Sequence, residues 1–258
     1  MKRLAQAVLL LFVLVWLAVG QNSPNAISAF ALEEPENHAI TVARLMRYHD
    51  SGEYEREIRE VVKSARDYLE SRFPNGVPKD AKVAAVFDID ETTLSNWDVM
   101  AFCGFCSYAV QLRLYKDDCK DGCKDCCKDG CKSDSKDACY SMDHDPAISP
   151  VLELYNFAKK KGIAVFFVTG RPECQRAMTE ANLREVGYSG WTEPIYMQPD
   201  VPEGQPKTVA RIFKPKNRRE IEAMGYQIVL NIGDQASDLD GCCALRRFKL
   251  PNPFYLLP

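Results

Sequence analysis

The chain has 258 residues, 46% hydrophobic and 27% charged, enough for one α/β domain with a full core and modest additions. A formal net charge of −3 and a sequence pI near 5.8 leave no electrostatic footprint for a nucleic acid polymer, so that class of partner is excluded.

The N-terminus, MKRLAQAVLLLFVLVWLAVGQ, sets Lys2 and Arg3 ahead of an apolar stretch from Leu4 to Val19, the layout of an export signal. Cleavage is expected after Ala18-Val19-Gly20 or after Ala29-Phe30-Ala31, and no cysteine lies near either site to carry a lipid. The alternative is an uncleaved anchor, for which the stretch is slightly short; it would be the chain's one contact with a membrane. Residues 1–31 are therefore read as signal peptide or anchor plus linker, and residues 32–258 as a secreted or periplasmic domain in which disulfides form.

After a linker with Pro and Asn, Asp50-Ser51-Gly52-Glu53 predicts a helix start with the acid as cap. Tyr54, Ile58, Val61, Val62, Ala65, Tyr68 and Leu69 then recur at helical spacing, and Pro74-Asn75-Gly76 closes the segment. Val83 to Phe87 is an apolar run without alternation, which suits a parallel strand covered on both faces. It stops at Asp88 and Asp90. Side chains alternate along an extended chain, so both acids reach one cleft while Ile89 returns to the core. Carboxylates at such a place need a metal ion or a proton to compensate them.

Trp97, Met100, Phe102 and Phe105 form an aromatic and apolar group that serves either as a local core or as a platform for a substrate's organic part. From Tyr115 to Met142 the chain repeats with a period of four, with cysteines 119, 123, 127, 131 and 139 in one phase. Gly122 and Gly130 argue against a helix, so residues 103–140 are read as a cysteine-rich insert stapled by disulfides, a soft-metal site being the alternative. With Cys126, which lies out of that phase, and Cys103, Cys106, Cys174, Cys242 and Cys243 the cysteines total eleven, and their pairing is left open.

Beyond the insert, Val151 to Ala158 predicts a helix ended by three lysines and Gly162. Ile163 to Val168 predicts a second buried strand, stopping at Thr169-Gly170-Arg171, with Pro172 opening a helix that runs to about Gly187. Pro194 to Met197 is a third strand, Asn217 to Met224 a helix, Gln227 to Ile232 a fourth strand, and Phe248 to Leu250 an edge strand. The fourth strand again stops at acids, in Gly233-Asp234-Gln235-Ala236-Ser237-Asp238. A parallel sheet brings Asp88, Asp90, Thr169, Asp234 and Asp238 to one edge, the edge where open α/β sheets bind ligands.

Those motifs, DIDET at Asp88 to Thr92, Thr169-Gly170-Arg171, and GDQASDL at Gly233 to Leu239, resemble those of the haloacid dehalogenase-like phosphatases. The similar branch is subfamily IIIB, which contains class B and plant acid phosphatases and vegetative storage proteins. The resemblance runs from about Tyr48 to Pro258, including a Lys-Pro-Asn-Pro-like ending at Leu250 to Phe254, and fails over the repeat. It implies a three-layer Rossmann-like fold with a central parallel sheet, a cysteine-rich cap or insert after the first strand, and acid phosphatase activity on small phosphate monoesters.

It further implies that Asp88 attacks phosphorus and Asp90 is the general acid and base. Mg2+ would lie among the Asp88 carboxylate, the Asp90 backbone carbonyl and Asp234, with Asp238 in or near its shell. Thr169, Gly170 and Lys214 would hold the phosphoryl group, and Arg171 either assists them or buttresses the loop. Lys214 is selected by counting back from Gly225-Tyr226; Lys207 and Lys216 rank below it. Asp90 must enter the first step protonated, which predicts an acidic optimum. Other phosphatase designs lack support: the histidines are only His38, His49 and His144, and no cysteine is followed at the sixth position by arginine. A storage or binding protein on the same fold is the competing reading, disfavoured by the intact Asp88, and a metal-buffering repeat is another. Homo-oligomerisation is left open.

Overall fold

The computed structural model describes residues 36–105, 144–200 and 209–257. The export segment, Lys207 and the four-residue repeat lie outside the described residues. Among the described residues no helix is long and apolar enough to cross a membrane. The chain divides into two compact units, Met1–Thr41 and Val42–Pro258. In the first, Asn37 Oδ1 accepts from the Ala39 N–H at 2.9 Å, where helix α1 (His38–Asp50) begins.

The second unit is built on five strands: β1 (Val83–Phe87), β2 (Ala164–Pro172), β3 (Tyr196–Gln198), β4 (Gln227–Gly233) and β5 (Arg246–Lys249). They pair in the order β3-β2-β1-β4-β5, every pair parallel. Strand β1 is central. Its residues are all buried, and they alternate between two cores. Val83, Ala85 and Phe87 join the larger one, under helices α2 (Glu53–Arg72) and α4 (Ser149–Lys160), whereas Ala84 and Val86 join a smaller one. Helix α6 (Ala210–Ala223) covers that second face through Phe213 and Ile221. Phe87 meets the rings of Tyr155 and Phe167 edge-on, with centroids 6.1 and 6.4 Å away. Burial of a side chain this size contributes about 1.5–3 kcal/mol.

Helix α2 buries Tyr54, Ile58, Val62, Ala65 and Leu69, the predicted stripe. Its start differs from expectation. Asp50 ends α1, and Gly52, with φ of +76°, turns the chain into α2 without a side-chain cap. A left-handed turn between two helices replaces the expected capping box, and glycine is the residue that takes it at least cost.

Strand β2 is also longer than expected. Pro172 is its last residue, a 3-10 turn follows at Glu173–Gln175, and helix α5 (Arg176–Glu185) begins four residues later than predicted. Helix α6 starts seven residues before the predicted Asn217 and carries Pro215 inside it, so Lys214 is helical rather than in a connection. Strands β3 and β5 each shift by about two residues from their predicted places.

Trp97 to Phe102 is a short helix, α3. Its group is mostly a local core: Trp97 stacks on His49 at 3.6 Å and meets Phe105 and Phe254, and Met100 is buried, while Phe102 is 53% exposed.

Candidate active site

Asp88 follows Val86 in the alternation of β1 and so emerges on the α6 side, while Ile89 is fully buried in the larger core. Lys214 comes down from α6 to meet it. The Lys214 ammonium donates to Asp88 Oδ1 at 2.6 Å and also to Asp238 Oδ1, and all three side chains are nearly inaccessible. The backbone at Asp88 is fixed by its N–H to the Ile232 carbonyl at 3.1 Å and by the Thr93 hydroxyl on its own carbonyl at 2.5 Å.

Asp234 and Asp238 arrive from the end of β4 and the short helix α7 (Ala236–Leu239). Asp234 Oδ1 accepts from Thr92 at 3.1 Å, and its Oδ2 accepts from the Gln235 and Asn252 amides, both at 2.6 Å. The Gln235 N–H donates to Asp238 Oδ2 at 2.7 Å. The turn that permits this depends on Gly233, because a Cβ there would lie 2.4 Å from the Asp238 side chain. Arg218, fully buried, donates to the Asp238 carbonyl at 2.6 Å and to the Cys242 carbonyl at 3.3 Å, which holds the loop after Asp238. In that loop the adjacent Cys242 and Cys243 are joined in a disulfide; Cys103 and Cys174 are also disulfide-bonded.

Asp90 stands at the open side of the cleft, its side chain 23% exposed. Arg171 Nε and Nη2 donate to Asp90 Oδ1 at 2.9 and 2.8 Å, and Asn96 Nδ2 reaches the same oxygen at 3.0 Å. Arg171 also donates to Asp145 Oδ2 at 2.9 Å and Thr179 Oγ1 at 3.3 Å. The buried Arg171 guanidinium is thus committed to two carboxylates and a hydroxyl. Thr169, at the bend of β2, accepts the Arg171 N–H on Oγ1 at 3.0 Å. At Gly170 a Cβ would meet nothing within 4 Å, so this end of β2 has open space beside it. Lys216 is exposed and its ammonium lies 3.8 Å from Glu220.

The electrostatics follow from burial. Asp88, Asp234 and Asp238 bring carboxylate oxygens within 4.8 Å of one another, against the single ammonium of Lys214. Burial, with Asp238 beside it, holds the Asp88 carboxyl well above its usual range, although Lys214 opposes this. Burial and Asp238 likewise push Asp234 up to about 6, against the Asn252 and Gln235 amides. Burial would raise Asp90 too, but the Arg171 charge and the hydrogen bonds from Arg171 and Asn96 overcome it and leave Asp90 below its usual range. Glu91, buried beside the Tyr54 hydroxyl at 3.3 Å, is raised strongly by desolvation. Ionised together, three buried carboxylates around one ammonium would leave an excess of two negative charges, and an all-oxygen donor set suits a hard divalent cation better than a soft one. The Asp90 carboxylate turns its Oδ1 to Arg171 and Asn96 rather than joining that cluster.

Several residues of this site were not singled out from the sequence. Gln235 lies inside a quoted motif, and Asn252 inside the Pro-Asn-Pro ending, so a signal existed for both. Asp145 carries a weaker one, its place beside His144; His144 itself is exposed and bonds Glu185 at 3.1 Å, while Asp145 is buried. Thr92 closes the quoted DIDET motif, so a signal existed for it too, whereas Asn96 carried none beyond its nearness to Asp90.

A model of the family described as HAD superfamily, subfamily IIIB (acid phosphatase), matches residues 20–120 and 130–258. Acid phosphatase 1 of Solanum lycopersicum is 31% identical over 205 residues, covering 79% of this chain and 69% of that protein. The stem 28 kDa glycoprotein of Glycine max is 40% identical over 114 residues, 43% of this chain and 44% of its own length. Vegetative storage protein 1 of Arabidopsis thaliana is 27% identical over 208 residues, 81% of this chain and 67% of its own length. Among solved structures, the class C acid phosphatase from Bacillus anthracis superposes with a TM-score of 0.58 at 21% identity, covering 84% of this chain and 86% of that one. That last likeness is one of fold.

Proposed function

The chain belongs to the acid phosphatases of HAD superfamily subfamily IIIB, and from that premise we propose that it hydrolyses small phosphate monoesters, nucleotides included, outside the cytoplasm, through an aspartyl phosphate on Asp88. The observation that carries the reading is the Lys214 ammonium 2.6 Å from Asp88 Oδ1, in a cleft of three buried carboxylates at the end of the central strand.

In the first step Asp88 attacks phosphorus, an acyl phosphate bond forms, and the bond to the leaving oxygen breaks while Asp90 gives that oxygen its proton. In the second, Asp90 takes a proton from water, whose oxygen attacks phosphorus and returns Asp88 as a carboxylate. Lys214 is within reach of any phosphoryl group carried on Asp88. Thr169 accepts a backbone N–H on its hydroxyl oxygen, which leaves its own proton for a phosphoryl oxygen, and the open space at Gly170 leaves room for one. This is electrostatic positioning of charge in a water-poor cleft.

Asp88, Asp234 and Asp238, with the backbone carbonyl of Asp90, would hold Mg2+; when bound, that ion supplies the positive charge that lets an anionic carboxylate approach an anionic ester. Without compensation, unit charges 4 Å apart repel by about 4 kcal/mol at an effective dielectric near 20. Arg171 bears on the expected acidic optimum. It holds the Asp90 carboxyl below its usual range, which favours the ionised form, so the rate on esters that need a proton falls as pH rises.

Relatives named as vegetative storage proteins favour a second reading, a storage role on the same fold. One assay separates the two. Phosphate release from 4-nitrophenyl phosphate and a nucleoside monophosphate is measured near pH 5.5 with Mg2+ or EDTA, for the mature protein and Asp88→Asn. Activity that needs both Mg2+ and Asp88 is expected. No turnover by a folded, Mg2+-supplied wild type would move the conclusion to storage.

A further inference from the structure

We propose that Asp145 is a positioning residue for the Asp90 carboxyl, acting through Arg171 to keep one of the two Asp90 oxygens open for proton transfer. This rests on the reading of Asp90 as general acid. Asp145 is buried and is pinned to α5 by a reciprocal pair: its N–H donates to Asn182 Oδ1 at 3.0 Å, and Asn182 Nδ2 donates to its carbonyl at 2.9 Å. From that fixed place its Oδ2 takes a hydrogen bond from Arg171 Nη2 at 2.9 Å.

The consequence appears at Asp90. Arg171 Nε, Arg171 Nη2 and Asn96 Nδ2 all converge on Asp90 Oδ1, at 2.9, 2.8 and 3.0 Å. A guanidinium facing a lone carboxylate prefers a fork in which each of two N–H groups takes a different oxygen. Here the fork is turned so that both groups address one. Asp145 shares Nη2, and Thr179 Oγ1 receives Nη1 at 3.3 Å, so the guanidinium is held from the far side. A proton on Oδ1 would face three donors; a proton on Oδ2 faces none of these. Oδ2 is therefore the oxygen that carries the proton to the leaving alcohol and later receives one from water. Without Asp145, Arg171 is free to swing onto both oxygens and occupy the one that transfers the proton.

A role confined to tethering the end of the insert would lower all activities together. Loss of proton delivery acts selectively, because 4-nitrophenolate departs without a proton and an alkoxide does not. The test compares kcat/KM for glycerol 2-phosphate and 4-nitrophenyl phosphate in wild type, Asp145→Ala, Asp145→Asn and Asp90→Asn, all as full chains with Mg2+. This ratio reports the steps up to alcohol release and is independent of the later hydrolysis of the aspartyl phosphate. For Asp145→Ala we expect a loss of about 10-fold or more on the glycerol ester and less than about 3-fold on the nitrophenyl ester, part of the about 100-fold or more that general acids contribute. Asp145→Asn keeps the shape and an acceptor for Nη2, so it shows a smaller gap of the same sign and serves as the test if the alanine variant does not fold. Equal losses on the two esters, or none, overturn the proposal. If Asp90→Asn itself shows no gap, the general-acid reading fails and the proposal with it; if Asp90→Asn shows the gap and the Asp145 variants do not, only the proposal falls.

Discussion

Burial and the neighbouring Asp238 raise the Asp234 carboxyl to about 6, and burial raises Asp88 as well. An unfolded aspartate titrates near about 3.9, so between that value and about 6 the metal-free folded chain binds more protons than the unfolded one. The contribution of these groups to stability is then complete below the unfolded value and is lost as pH rises through the folded one. Asp90 is shifted the other way, downward, and acts below this window. A divalent cation replaces the protons, since its ligands must be ionised. The thermal midpoint in EDTA should therefore gain relative to that in Mg2+ as pH falls from about 7 to about 5. A gap between the two midpoints that stays constant over that range would show that Asp88 and Asp234 do not hold the ion. The acids at the strand ends were legible because a buried strand that stops at carboxylates is rare without a charge to balance them. Asp145 was not, because its partner Arg171 lies across the fold and nothing local marks a carboxylate as buried; Gln235 and Asn252 stood inside motifs, but their hydrogen bonds to Asp234 were not legible there.

At the scale of elements, the turn from β4 into α7 sets the cleft. Gly233 is left without a side chain because the Asp238 carboxylate occupies that space, with a Cβ coming within 2.4 Å of it. Gly233→Ala must displace Asp238 and with it the ammonium of Lys214. Because the contact is with a site residue rather than the core, activity should fall by about 100-fold or more while stability falls by only about 1–3 kcal/mol, measured by phosphate release and urea unfolding. Full activity in that variant would remove Asp238 from the site.

The strand β4, its acids and the helix before it were readable from apolar runs and glycine stops. The start of α6 was not: Pro215 is a breaker by rule, yet the helix contains it, and that difference moves Lys214 from a connection onto a helix packed over β1. Pro172 misled in the opposite sense, since the proline that suits the first turn of a helix here ends a strand.

For the molecule as a whole, the strand order explains why residues about 150 positions apart in sequence meet. From β1 the chain builds outward through β2 and β3, then returns to place β4 on the other side of β1. The reversal lies between β1 and β4, where Asp88 and Asp234 end their strands, and such switch points are where open α/β sheets form clefts. Periodicity predicted that the strands are parallel and buried; it does not encode their order, which the crossovers decide.

The central claim is covalent: phosphate passes through Asp88. The most direct measurement is rapid acid quenching of a turnover mixture, proteolysis, and mass analysis of the peptide that contains Asp88. The account predicts a phosphate adduct on Asp88 that hydroxylamine removes and that is missing in Asp88→Asn. Phosphate release from an active wild type with no adduct at any quench time, and with Asp88→Asn still turning over, would contradict it.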